Sequence, residues 1–505
     1  MASEELSLQI FFGSQTGCAH EVADYIEYDA HRRGMTSVVR SLEGVTPQDV
    51  AACPGFVVFV VSTCGEGEVP DNMKVFWRML RNRNLPNNLL KEKKVGVFGL
   101  GDSGYSKFNY SAKLLYRRLE LLGAVFMTGR GDGDDRHPLG LEACLDPWLN
   151  DLWTFIEKAS GRSYVVSHLG AAPKARVEVT VSSMRGVLNT KPPTCTTIEK
   201  ADSTTLPYSL LNPCTSALVS NRRITAPEWE QDVRHCVLNV SGKSISHAPG
   251  DVVCILPVNS EDKVKHFLNH VGLDGDLVLT SLTSKDGRWD HVPLPISMFD
   301  FCLRYLDFDG CPRGRTFFLM LSYFTTSEIE KEKLDFFATA EGQSALRLYS
   351  LKEKRSYTEI LEDFRHVHLP LNYLFSIIPP LKARSFSIAS SLTLHPEELH
   401  VCVAVVEFLT PLKRKRYGLC SNWLASVTLQ EEENNHRQDG GNAKETTGMP
   451  LSLRPSFPVR IWIEKGSIRY PSEDACDIIM VGPGTGISKL NFHAYRNMRG
   501  SLKWR

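Results

Sequence analysis

Leu6-Ser-Leu-Gln-Ile-Phe-Phe-Gly-Ser-Gln-Thr-Gly-Cys-Ala19 is a short apolar run that breaks into glycine and hydroxyl residues and then enters a helical pattern. Leu6 to Phe12 is read, with the other short apolar runs of this region, as a strand covered on both faces. Ala19, Val22, Ala23, Ile26 and Ala30 recur at helical spacing and stop at Gly34, a C-cap. Between strand and helix lies Ser14-Gln15-Thr16-Gly17-Cys18-Ala19. Hydroxyls at 14 and 16, a glycine that lets a ligand reach the backbone, and the amides of a helix start together make a cradle for a monophosphate. Taken alone, the hexapeptide is equally an ordinary turn with side-chain caps.

The same pattern repeats outward. Phe56 to Ser62, Lys94 to Phe98 and Ala124 to Thr128 are further buried runs, and Tyr110 to Leu122, closed by Gly123, is a second helix. Strands alternating with helices imply a doubly wound parallel sheet, whose ligands bind at the carboxyl ends of the strands. Two more loops fall at that edge. Ser62-Thr63-Cys64-Gly65 opens a glycine-rich turn that runs to Glu68, and Leu100-Gly101-Asp102-Ser103-Gly104-Tyr105-Ser106-Lys107-Phe108-Asn109 is the other. A flat redox ring needs an aromatic plate and backbone donors at its edge, and Tyr105 with its glycine neighbours offers both. Read singly, Tyr105 and Phe108 are as well explained as core aromatics.

Residues 1–160 thus form one α/β domain, and 161–204, rich in Ser, Thr, Pro and Gly, read as a linker. Beyond it the chain changes class. Val233 to Val240 and Val252 to Leu256 are strands, with a turn at 248–251, and residues from about 260 to 375 are mostly helical. Strands return at Ser385 to Ala389, Val401 to Val406 and Val459 to Ile463, as in an antiparallel barrel with a helical insertion. Residues 428–450 are polar and of low complexity.

In Arg384-Ser385-Phe386-Ser387 a cation, an aromatic and a hydroxyl follow one another along an extended chain, which suits a pyrophosphate and a ring. Gly418-Leu419-Cys420-Ser421 reads as a helix N-terminus able to hold a pyrophosphate through its amides.

The chain has 505 residues, a length of about three domains. Lys plus Arg and Asp plus Glu both number 58, which argues against a nucleic-acid or anionic-membrane protein. Thirteen cysteines without a C-x-x-C pair fit neither a disulfide framework nor a zinc site, so a reducing, cytosolic setting is expected and no metal. The N-terminus lacks a signal-peptide pattern, and no apolar stretch approaches the roughly 20 residues of a membrane anchor.

The three loops of the first domain resemble the flavodoxin-like FMN domain of the diflavin reductases. Gly133-Asp-Asp-Arg-His-Pro-Leu-Gly140 and Leu145-Asp-Pro-Trp148 resemble most the branch that serves cytosolic iron-sulfur protein assembly. Sulfite reductase flavoproteins and methionine synthase reductases fit these segments less well. The resemblance implies that Ser14 to Ala19 hold the FMN phosphate, that Ser62 to Gly65 and Leu100 to Asn109 hold its ring, and that Asp135 contacts it. Two positions depart from the wider family. Cys18 replaces a threonine, and Cys64 stands where the microsomal reductase has an aromatic, which implies a less covered flavin face.

Residues 205–474 resemble a ferredoxin-reductase-type FAD barrel. The resemblance gives Arg384 to Ser387 and Gly418 to Ser421 to FAD, Ser387 to catalysis, and Lys354 to a basic position near the cofactor. Ile478 to Gly486 resembles the opening of the NADPH domain, with Thr485 near the dinucleotide. Residues 475–505 are expected to be a truncated start of that domain that binds NADPH poorly, with Trp504 matching the family's terminal aromatic in position only. The function implied is transfer of electrons from NADPH through FAD and FMN to a protein acceptor, the anamorsin-type iron-sulfur protein. A flavin-binding partner that docks on the acceptor without being reduced by NADPH is the alternative.

Overall fold

The computed structural model describes residues 7–65, 67–166, 172–183, 208–284, 286–312, 314–429, 456–466 and 485. The expectations for residues 184–204, for most of the 428–450 loop, and for 475–505 apart from Thr485 lie outside these residues. The chain forms two compact units. The first is Met1–Val177 with Ser284–Gly287 and Gly310–Ile377, and the second is Glu178–Thr283 with Arg288–Asp309 and Ile378–Arg505. No helix among the described residues is long and apolar enough to cross a membrane.

The first unit opens with β1 (Leu8–Gly13), α1 (Cys18–Arg32), β2 (Ser37–Ser41), α2 (Pro47–Ala52) and β3 (Phe56–Ser62). It continues through α3 (Lys74–Leu80), β4 (Lys94–Gly101), α4 (Tyr110–Leu121), β5 (Val125–Phe126), β6 (Gly131–Asp134) and α5 (Glu142–Ser160). The strands make one parallel sheet in the order β2-β1-β3-β4-β5, with β6 on β4 beyond β5. Side chains alternate between its faces. Ile10, Val58 and Phe98 pack against α1 and α5, whereas Phe11, Phe59 and Val97 pack against α3 and α4. Every residue from Phe56 to Val61 is fully buried, and each such Val or Phe side chain stabilises the sheet by about 1.5–3 kcal/mol before entropy is counted.

The chain then runs through β7 (Val177–Ser182), β8 (Cys214–Arg223), β9 (Val233–Asn239), β10 (Val252–Leu256), α6 (Glu261–His270), β11 (Val278–Ser284), β12 (Ile296–Ser297) and α7 (Met298–Arg304). Strands β12, β11 and β7 form a small sheet. The stretch 161–204 therefore contains a strand, built on the alternation Val177, Val179, Val181. The segment from about 260 to 375 likewise carries β11 and β12 as well as helices.

Helices α8 (Thr316–Ser322), α9 (Glu328–Ala338), α10 (Gln343–Leu346), α11 (Tyr357–Asp363) and α12 (Leu371–Ile377) return to the first unit. Leu319 and Met320 of α8 join the core that α1 and α5 share with the sheet. Arg315, 4% exposed, places its guanidinium 3.8 Å from the Tyr25 ring and donates to the Asp146 carboxylate. A buried cation is tolerated there because a carboxylate and a π face replace its water.

The second unit closes with β13 (Arg384–Ser387), β14 (Glu398–Ala404), the hairpin β15 (Glu407–Leu409) and β16 (Lys415–Tyr417), α13 (Leu419–Ser426) and β17 (Phe457–Glu464). Its main sheet is antiparallel in the order β13-β10-β17-β8-β9-β14. A bridge from Ile388 to Val401 joins the two end strands, so the sheet closes into a six-stranded barrel. Leu218, Cys236, Leu238, Val253, Ile255, Ile388, Val401 and Ile461 fill it, and Leu424 and Cys420 of α13 plug it. Closure removes the exposed edges that an open sheet would present.

Candidate functional site

Because β1, β3 and β4 are parallel neighbours, the loops that leave their carboxyl ends lie side by side. Sequence placed Ser14–Ala19, Ser62–Gly65 and Leu100–Asn109 in those loops, and the fold brings all three to one sheet edge. Asp135 joins them through β6, its amide donating to the Gly101 carbonyl at 2.9 Å.

The first loop does not cap its own helix. The N-cap is Gly17, at φ 101°, with no side-chain cap bond, and Ser14 Oγ accepts from the Gly17 amide at 2.9 Å instead. No side chain caps the start of this fifteen-residue helix, and such a start suits an anion. Thr16 Oγ1 lies 3.5 Å from Cys18 Sγ, and Ala19 is buried in the core. The loop is fastened from below. Asn72 Oδ1 accepts from the Ser14 amide, and Gln15 bonds both the amide and the carboxylate of Asp71. Asp71 and Asn72 were not picked out in the sequence. A Pro-Asp-Asn-Met stretch after a glycine loop gives no local sign that it reaches back about 60 residues.

In the second loop Cys64 and Glu68 exchange backbone bonds around Gly65 and Gly67, both at positive φ. Ser62 Oγ donates to the Gly13 carbonyl, and Thr63 Oγ1 accepts from the Ser111 amide. Cys64 is half-buried, and burial pushes its thiol pKa up against the opposing bond from Ser62. It is no reactive thiolate. It puts a small side chain, and no aromatic plate, at this position of the loop.

The third loop carries the open aromatic. Tyr105 is 66% exposed, so the core reading fails for it, while Phe108 is half-buried under Lys113. Asp102 folds the loop, its carboxylate accepting from the Gly104 amide at 2.7 Å and pairing with Arg136 at 3.6 Å. Ser103, Ser106 and Lys107 are exposed, and Leu100 is buried. Asp134, beside the residue singled out from sequence, accepts from the amides of Ser103 and Arg136. Burial pushes its carboxyl pKa up, but these bonds outweigh that and hold it below the ordinary value. Asn109 is fully buried at φ 50° and donates to the Gly133 carbonyl, but its Oδ1 has no donor among the described residues. A Cβ on Gly101 would come within 2.7 Å of that Oδ1. An uncapped helix start, an orphaned buried acceptor, a glycine floor and an exposed aromatic together fit a flat ring carrying one phosphate.

In the second unit β13 pairs with β10, placing Arg384 opposite Ile255, Ser385 opposite Cys254, Phe386 opposite Val253 and Ser387 opposite Val252. Phe386 leans half-buried on the barrel core, and Ser385 Oγ lies 3.4 Å from Cys254 Sγ. Arg384 is exposed and bonds only to the carbonyls of Lys382 and Ala383 among the described residues. Gly418 is the N-cap of α13, again with no side-chain cap. Its amide donates to the Val406 carbonyl, and a Cβ there would come within 2.7 Å of the Val406 side chain. Ser421 Oγ ties the same turn to the Val406 amide at 3.0 Å. Burial pushes the Cys420 thiol up to about 12, with the Arg384 charge the first opposing influence, so the two motifs are neighbours. An exposed cation with no acidic partner among the described residues, beside a helix start without a side-chain cap, fits a pyrophosphate. Leu419 begins the helix.

Lys354 is exposed at φ 48° in the first unit, between α10 and α11, whereas Arg384 belongs to the second. Thr485 is the one described residue of the glycine turn.

Residues 10–148 match the flavodoxin family model and residues 206–423 match the model of the FAD binding domain. A protein of Bos taurus named NADPH-dependent diflavin oxidoreductase 1 is 37% identical over 95% of this chain and 77% of its own length. Proteins of the same name from Arabidopsis thaliana and Dictyostelium discoideum are each 35% identical, over 96% and 94% of this chain and 76% and 71% of theirs. Flavodoxin sheet, FAD barrel and relatives agree, and the chain belongs to the NADPH-dependent diflavin oxidoreductases.

Proposed function

We propose that this chain works in the cytosol, takes hydride from NADPH beside its FAD barrel, and delivers single electrons from its flavodoxin unit to an iron-sulfur protein of the anamorsin type. What carries the reading is the pairing, in one chain, of three convergent loops at a parallel sheet edge with a closed barrel that sets Arg384 beside an uncapped helix. Two flavins in series convert a hydride pair into single electrons, which an iron-sulfur acceptor requires.

The residues divide that work. The start of α1 and the Ser14 loop hold the FMN phosphate, Leu100 to Asn109 frame the ring, and Tyr105 stacks on one face. The half-buried Cys64 covers the other face less than an aromatic would, leaving that side nearer an incoming partner. In the barrel, Arg384 and the amides of Leu419 to Ser421 neutralise the FAD pyrophosphate. Ser387, fixed by its ladder position opposite Val252, presents a hydroxyl to the ring edge and is the residue assigned to catalysis. Lys354 and Thr485 are assigned to the FAD and NADPH sides.

The test is anaerobic stopped-flow absorbance of the purified yellow protein, first with NADPH and then with the oxidised acceptor. Near-equal FMN and FAD, bleaching by NADPH and return of colour with the acceptor are expected. Recovery of neither flavin from folded protein overturns the site assignments. Bleaching by dithionite but not by NADPH would leave a flavin-binding partner of the acceptor instead of a reductase.

A further inference from the structure

On β14 the side chains alternate, with Leu399, Val401 and Val403 in the barrel core and Glu398 and His400 on the outside. The hairpin that joins β13 to β14 brings His395 onto the same outer patch. One ligand atom from each of His395, Glu398 and His400 lies within 4.8 Å of the others. Glu398 Oε2 is 3.0 Å from His400 Nε2 and 3.5 Å from His395 Nδ1, and the two rings are 4.4 Å apart. Across the ladder, His235 of β9 sets its ring edge-on to His400 at 5.0 Å.

The patch is built in advance by the backbone beneath it. Ser390 Oγ donates to the Glu398 carbonyl and accepts from the His400 amide, so one hydroxyl fixes both strand ligands. The His395 amide donates to the Ser391 carbonyl at 2.8 Å, which fixes the third. The three side chains are 32%, 19% and 15% exposed in chain order, open enough to admit an ion and closed enough to strip part of its water.

Two imidazoles and one carboxylate are the donor set of borderline divalent ions, with a fourth position for water. Bonds of about 2.0–2.1 Å at tetrahedral angles place neighbouring ligand atoms roughly 3.3 Å apart. The observed 3.0 and 3.5 Å bracket that spacing. We propose that His395, Glu398 and His400 form a binding site for a divalent transition ion of the zinc class. The ion would clamp the turn between β13 and β14, the strand pair whose bridge closes the barrel. The thirteen cysteines gave no sign of it, because its donors are nitrogen and oxygen. A carboxylate merely hydrogen-bonded between two imidazoles is the competing account of the same distances.

The experiment uses the full chain, stripped with a chelator and titrated with Zn²⁺ against a chromogenic competitor. Wild type is compared with His395→Asn, Glu398→Gln and His400→Gln at matched flavin content and circular dichroism. Wild type should take up one more equivalent than each variant, or hold that equivalent at least about ten-fold more tightly. Zn²⁺ should also raise the temperature at which wild type releases FAD, and should not do so in the variants. Binding to thiols elsewhere is common to all four proteins and cancels. If His400→Gln misfolds, His395→Asn decides, because His395 sits on the turn outside the ladder. Identical titrations in wild type and His395→Asn, or no saturable uptake by wild type, overturn the proposal and leave the hydrogen-bonded cluster.

Discussion

Arg384 sits at an exposed strand start with its guanidinium committed, among the described residues, only to two backbone carbonyls of its own segment. A cation so placed contributes little to stability and is available to a ligand. Arg384→Ala should therefore weaken FAD by about 1.5–3 kcal/mol, or one to two decades of affinity, and leave FMN occupancy unchanged. Chromatography of the released flavins reads both at once, and equal loss of the two would point to unfolding. At this scale the sequence was legible wherever chemistry and position coincide, as in the hydroxyls of the first loop. It was opaque where a residue acts at a distance. Asn72 and Asp134 hold the first and third loops through bonds to backbone amides, Asp71 holds the first through the Gln15 side chain, and nothing in their immediate neighbours announces those partners.

Among elements, strands buried on both faces were legible because Val and Phe runs have few other uses. Strand β6 was not, since Gly-Asp-Gly-Asp has no β propensity. It forms because β4 offers a free edge, and because Gly131 lies so close to Phe98 that a Cβ there would collide, with Gly133 tight against the same ring. The valine alternation of β7 is masked by the Ser and Pro around it, and barrel closure rests on a bridge that no local pattern reveals. The junction of β4 with α4 gives a direct test. Gly101→Ala would put a methyl 2.7 Å from Asn109 Oδ1 and 2.9 Å from its amide, forcing the loop to shift. Overpacking of this kind costs about 1–3 kcal/mol. FMN should be lost selectively, with a lower unfolding midpoint for the first unit, and full FMN occupancy would show that the loop accommodates the methyl.

At the scale of the whole molecule, buried histidines of the second unit contribute acid sensitivity. His247 is driven to about 4 by burial, against a weaker pull from Asp251. His291, packed against Trp289 and Tyr305, is driven to about 4 by burial and then by Arg460, with Asp290 opposing. The unfolded chain takes up these protons near the ordinary value of 6.5 and the folded one does not. Their contribution to stability is thus intact above 6.5, falls as pH drops toward 4, and levels off below. Each group adds a slope of at most about 1.4 kcal/mol per pH unit. The urea midpoint for FAD release should fall across that window, and His291→Gln should flatten the decline. A midpoint constant from pH 6.5 to 4 would refute the account.

The return of α8 to the N-terminal core has a consequence for synthesis on the ribosome. The face of α1 that carries Tyr25 and Ile26 emerges early, yet Leu319 and Met320, which share its core, follow about 300 residues later. At about 5–20 residues per second, that delay is on the order of tens of seconds. Through that interval the nascent first unit shows an incomplete apolar surface. When Phe317 to Leu321 finally emerge, they are themselves a continuous greasy segment with one place to go. A chain made this way has two apolar surfaces to keep apart from others in turn, first the waiting core and then the helix that completes it.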